Sequence, residues 1–143
     1  MQLVGKDSLS EDQKATLAVA QLIKDEFLQQ NAFSDYDYNC PLEKTVGMMK
    51  CIVTYYEQCN KILIESQMTE KKISMALIEE SFNTTVILKL KEMKFIPPTN
   101  SPADLARELD DLSEYIEKEF RKLMHGWIHQ IKTNFISKND HFH

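Results

Sequence analysis

Leu105, Leu109, Leu112, Ile116, Phe120, Leu123, Trp127 and Ile131 follow one another by three or four positions without interruption. Only a helix brings that spacing onto one face, and a stripe this long demands one long helix buried along its length. Ser101-Pro102 opens it in the order cap, then proline. Asp104, Glu108, Asp110 and Asp111 crowd its start, and Arg121, Lys122 and Lys132 its end, as the helix dipole favours. Gly126 is a mild weakness in this helix. Ser137–His143 reads as a polar, frayed end.

The segments before it follow the same period. Ser10-Glu11-Asp12-Gln13 is a capping box. It predicts a helix to about Gln30, with Thr16, Ala20, Ile23 and Phe27 on its buried face and Val19 and Leu22 beside them. A second helix is expected from near Cys40, with Pro41 in its first turn, to about Ser66. It carries two apolar stripes: Leu42, Val46, Met49, Val53, Tyr56 and Leu63, and, adjacent, Met48, Ile52, Tyr55, Cys59 and Ile62. A face that wide makes it the central helix. Thr69 is expected to cap a third helix from Glu70, with Ile73, Leu77 and Ile78 beginning its face. Asn83-Thr84-Thr85 are poor helix formers and should divide it. The second piece then carries Val86, Leu90 and Met93 and stops at Pro97-Pro98. With only 3 glycines and 4 prolines in 143 residues, a turn-dense β fold is excluded. The fold class is all-α, a helical bundle of four to five helices around one core.

The net charge is −5 with both signs interspersed, which argues against a nucleic-acid surface. The 3 cysteines form no Cys-x-x-Cys pair and fit a reduced, cytosolic compartment. No apolar run is long enough for a membrane span, and none resembles a signal peptide. No self-sufficient active site is legible, and no catalytic residue is assigned. Gly5-Lys6 lacks the remaining glycine and the Ser/Thr of a phosphate loop, and Asp7 would repel phosphate. His125 and His129 have metal-ligand spacing on a helix, but Gly126 stands where a metalloprotease needs glutamate and no third ligand is evident, so they read as solvent-facing. Cys51 and Cys59 read as small core residues, and Glu57 and Glu65 as a solvated face. Two stretches stay open on chemistry alone. Phe33, Tyr36 and Tyr38, in an aromatic and acidic elbow over 31–39, either stack on a planar ligand or close the end of the bundle. Lys6–Asp12 (KDSLSED) is either an interaction tip or the polar lead-in to a capped helix. The abrupt start at Met1 suits a natural domain or a piece of a longer chain equally.

Four runs carry a family resemblance: QLVGKDSLSEDQK, LIKDEFLQQNAF, the Tyr-Asp and Cys-Pro pairs of Tyr36–Pro41, and KTVGM at Lys44–Met48. The chain resembles the C-terminal helical domain of the catalytic A subunit of vacuolar-type (V-type) proton-translocating rotary ATPases. The likeness runs from Gln2 to about Phe95, is weaker over Asp104–Leu123, and is not seen after His125. It implies a division into 1–125, the family's helical bundle, and 126–143, a divergent helical extension with a frayed tail. It implies a part in coupling ATP hydrolysis to central-stalk rotation and proton transport. Phe33, Gln29 and Gln30 would then line the adenine pocket, and Lys6, Asp7, Leu9, Glu11 and Asp12 would face the rotor. ATP or ADP with Mg would be bound by the intact subunit, not by this domain alone, which would not hydrolyse ATP. Partners would be the B subunits and central-stalk subunits. The location would be peripheral, on the cytosolic face of vacuolar or endosomal membranes. The chain departs from the family pattern at Asp35, where proline is expected, at Asn39, where an aromatic is usual, and at Leu42-Glu43. The alternative is a free-standing, non-catalytic helical module that binds or competes for subunits of the same ATPase.

Overall fold

In the computed structural model, the long apolar stripe folds as a single helix, and the rest of the described chain packs beside it. The structure describes residues 9–25, 42–69, 71–97 and 101–140. Among these are five α-helices: α1 (Glu11–Ile23), α2 (Leu42–Gln67), α3 (Met75–Phe82), α4 (Val86–Glu92) and α5 (Pro102–Asp140). A turn of 3-10 helix at Met93–Phe95 follows α4, and no strand occurs among the described residues. The all-α expectation holds.

The most extensive packing is between α2 and α5, which run parallel. Lys50 pairs with Asp110 at 2.9 Å, the Thr54 and Ser113 hydroxyls meet at 3.0 Å, and the Tyr55 and Phe120 rings lie 5.8 Å apart, so partners advance together along both helices. A parallel pair needs a return path, and α3 and α4 supply it. The Phe82 and Phe120 rings stand 4.7 Å apart, and the Lys89 ammonium sits 4.2 Å from the centre of the Tyr115 ring, so partners on α5 recede as the chain advances. Helix α1 packs on α2, its Thr16 hydroxyl 3.1 Å from that of Tyr56. Met48, Ile52, Tyr55, Cys59 and Ile62 of α2 are all buried at the centre, as a central helix requires.

Several expectations are met residue by residue. The Ser101 hydroxyl accepts from the Asp104 amide at 3.2 Å, and α5 starts at Pro102. The break falls at 83–85, and Val86, Leu90 and Met93 are buried beyond it. Cys51 and Cys59 are fully buried. Along α5, Leu105, Leu109, Ile116, Phe120 and Trp127 are buried, with Leu112, Leu123 and Ile131 half-buried.

Three expectations are corrected. The buried face of α1 is Ala15 with Val19 and Leu22, the pair expected beside it, while Thr16 and Ala20 are exposed, Ile23 is half-buried and Phe27 lies outside the described residues; the packed face is rotated by one residue, onto the smaller Ala15. On α2, Leu42, Val46 and Val53 are 73%, 58% and 43% exposed, so the second stripe is the core and half of the first faces out. Thr69 does not cap the next helix. Its hydroxyl and amide both bond the Ser66 carbonyl and close α2, whereas Ser74 caps α3 by accepting from the Leu77 amide at 3.1 Å. Helix α5 runs through Asp140, and 141–143 of the expected frayed end lie outside the described residues. Phe135 and Ile136 of α5 are exposed, and the helix passes Gly126 without a break.

Candidate functional site

Of the residues expected to meet a rotor, Leu9, Glu11 and Asp12 are described, at the start of α1. Lys6 and Asp7 lie outside the described residues. So do all three residues expected at an adenine, Gln29, Gln30 and Phe33, and the elbow tyrosines Tyr36 and Tyr38. The structure therefore describes three of the five residues of one predicted site.

That part is built by the capping box. Ser10 has extended backbone, and its amide donates to Gln13 Oε1 at 3.1 Å, closing the box from the helix side. The Ser10 hydroxyl donates to Asp12 Oδ1. This bond holds the Asp12 carboxyl below the usual range, although the residue is exposed. Asp12 thus presents a fixed negative charge at the tip. Glu11 behaves differently: its Oε1 pairs with Lys14 at 3.2 Å, and its Oε2 accepts from the Met75 amide at 2.6 Å. Leu9 is half-buried at the turn.

Between α1 and the α3–α4 arm lies an open groove of about 910 Å³. Leu17, Ala18, Ala76 and Ile87 give it an apolar wall, and Lys14, Glu79, Glu80 and Lys91 ring it with mixed charge. Tyr55 lines it too, and burial pushes its phenol well above the usual range. Burial likewise raises the Cys51 thiol to about 11 and the Cys59 thiol to about 12. Both stay protonated at neutral pH and are poor nucleophiles. Cys51 Sγ donates to the Leu109 carbonyl at 3.2 Å. His125 and His129 are exposed. No group of three metal-ligating side chains occurs among the described residues, and no described helix is long and apolar enough to cross a membrane.

The sequence reading missed two residues of the KTVGM run. Lys44 is 1% exposed, and its ammonium donates to the Lys94 and Ile96 carbonyls at 2.6 and 2.8 Å. It donates to backbone acceptors just beyond the end of α4, where a helix terminus calls for partners from outside the helix. The signal was its position: Lys44 stands four residues before Met48, on the face that becomes the core. Gly47 marks a close approach of α2 to α5, since a Cβ there would lie 2.4 Å from Leu109 Cδ1 and 2.9 Å from Leu109 Cβ.

The model of the family described as the C-terminal domain of V and A type ATP synthase matches residues 1–73. The chain belongs to this family. The matched span holds α1, α2, the capped tip and both missed residues of this V and A type domain. Similar whole proteins extend the likeness. The chain is 40% identical over 124 residues to isoform 2 of the V-type proton ATPase catalytic A subunit of Drosophila melanogaster, covering 86% of this chain and 20% of that protein. The V-type proton ATPase catalytic A subunits of Manduca sexta and Caenorhabditis elegans match with the same identity and coverage. The chain thus spans about a fifth of the length of these relatives.

Proposed function

We propose that this chain serves as the C-terminal helical domain of a V-type catalytic A subunit. It transmits ATP hydrolysis, carried out elsewhere in the subunit, to rotation of a central stalk and so to proton transport. The observation that carries this reading is the 40% identity, over 86% of the chain, to proteins named as that subunit. On this reading the tip at Lys6, Asp7, Leu9, Glu11 and Asp12 faces the central stalk, and Gln29, Gln30 and Phe33 form one wall of an adenine pocket. ATP or ADP with Mg is bound by the whole subunit. The partners are B subunits and stalk subunits, and the complex sits peripherally on the cytosolic face of vacuolar or endosomal membranes. Residues 1–125 act as the family's bundle and 126–143 as an extension. A capped helix start, joined to a packed bundle, suits a lever: domain movement swings the tip without bending it.

The first test is the size of the native polypeptide, read with an antibody raised to Asp104–Leu123. A band several times larger than 16.7 kDa is expected. A band at that mass overturns the reading and favours a free-standing module that binds subunits of the ATPase without catalysis. Replacing Glu11 and Asp12 together with lysine in the assembled enzyme tests the lever, and unchanged coupling of hydrolysis to proton transport refutes it.

A further inference from the structure

The tip residues are not equivalent. We propose that, within the tip assigned above to the stalk, Glu11 is a positioning residue, a brace that ties the α1 tip to the junction of α2, α3 and α5, and that contact with a partner falls to its neighbours. Its carboxylate spans 64 positions of sequence to reach the Met75 amide at 2.6 Å, and its other oxygen holds Lys14 at 3.2 Å. Met75 is the first residue of α3, and its amide is one of the donors that a helix start leaves without an internal acceptor. Ser74 serves the Leu77 amide two residues on, and Glu11 serves Met75. A carboxylate placed there is held by a charge-assisted bond and by the positive end of the helix.

The same short connection is fastened to the other two helices. The Ile73 amide donates to Ser66 Oγ of α2 at 3.1 Å. The Trp127 indole donates to the Lys71 carbonyl at 2.7 Å, and the Lys71 ammonium donates to Gln130 of α5. Residues 71–75 are therefore a joint to which α1, α2 and α5 are each bonded, and Glu11 is the tie from α1. The side chain of Glu11 is only 27% exposed, whereas Asp12 is exposed beside it. A push on the tip then bears through this joint on α2, α3 and the distal half of α5 together. The brace itself stands on these contacts; its role in a motor rests on the lever reading above.

The test is amide hydrogen exchange of the 143-residue chain. Glu11→Ala is expected to speed exchange of the Met75 amide by about 10- to 100-fold, relative to amides at the centre of α2. Glu11→Gln keeps an acceptor oxygen and should speed it less than about tenfold, and it serves as the readable variant if Glu11→Ala does not fold. Lys14→Ala should leave Met75 exchange within about twofold. Unchanged Met75 exchange in a folded Glu11 variant overturns the brace. In the assembled ATPase carrying this sequence in its catalytic chain, Glu11→Ala should lower proton transport per ATP, with rescue by Glu11→Gln. If Leu9→Ala and Asp12→Lys leave that ratio unchanged, the lever reading fails while Met75 exchange still decides the brace.

Discussion

The two described glycines sit in helices and differ in what surrounds them, which makes a matched pair of substitutions. A methyl added at Gly126 would meet nothing within 4 Å, so Gly126→Ala gains helix propensity alone. That gain is about 1 kcal/mol. Gly47→Ala gains the same propensity but drives a methyl to 2.4 Å from Leu109 Cδ1 and 2.9 Å from Leu109 Cβ. The first overlap can be relieved by rotating the leucine, although Leu109 is 1% exposed and tightly surrounded. The second cannot, because a Cβ moves only with its backbone, so α2 and α5 must separate. Overpacking of a core typically costs about 1–3 kcal/mol, and a backbone-level overlap belongs at the upper end. Gly47→Ala should therefore destabilise by about 1–2 kcal/mol net, and the two variants should differ by roughly 2–3 kcal/mol. At this chain length each kcal/mol moves Tm by roughly 3–5 °C. Urea denaturation followed by circular dichroism reads the difference directly. A Leu109→Ala partner should relieve part of the Gly47→Ala cost, giving a coupling of about 1 kcal/mol in a double-mutant cycle. If Gly47→Ala stabilises as much as Gly126→Ala, the close approach of α2 to α5 is wrong.

Other outcomes follow from the same geometry. Lys44→Met keeps much of the volume but removes two charge-assisted bonds to carbonyls, and should lower stability by about 2–4 kcal/mol in denaturant; a neutral result would show that the buried ammonium contributes nothing net. Cys51 and Cys59 have thiols raised by burial from 9.0 to about 11 and about 12, so the unfolded chain loses their protons first. Their contribution to stability is full below pH 9 and is lost as pH rises through 11 and 12. Both should label with a thiol reagent only after unfolding, and rapid native labelling of either would contradict its burial. Trp127→Phe removes the indole bond to Lys71 and should cost about 1 kcal/mol, read as a shift in the denaturation midpoint. In an assembled enzyme, Phe33→Ala should weaken ATP binding by roughly 1–3 kcal/mol if the ring stacks on adenine; an unchanged ATP affinity removes Phe33 from the pocket.

What the sequence made legible was whatever has a local cause. Ser10 with Gln13, Ser101 with Pro102, and Asn83-Thr84-Thr85 act on their own backbone, and the structure places their caps and break where those residues stand. What it hid was decided by neighbours. Leu42, Val46 and Val53 are as apolar as Met48, Ile52 and Tyr55, and only the arrival of α5 and the α3–α4 arm on one side of α2 selects the second set. Ala15 and Ala20 are the same residue, and only packing against α2 ranks them. Thr69 and Ser74 are both competent caps, but Ser66, at the end of α2, claims the first. The predicted site suffered in the same way: Glu11 and Asp12 look alike in a charged turn, yet the amide of Met75 draws one inward and leaves the other outside. The KTVGM run joins these two cases. In sequence it served only as a mark of resemblance, with a lysine and a glycine that looked incidental in an apolar face. In the fold, Lys44 closes the backbone at the end of the α4 arm, and Gly47 lets α2 reach Leu109 of α5. A run that carries the family resemblance is thus also where the parallel α2–α5 pair meets at close range.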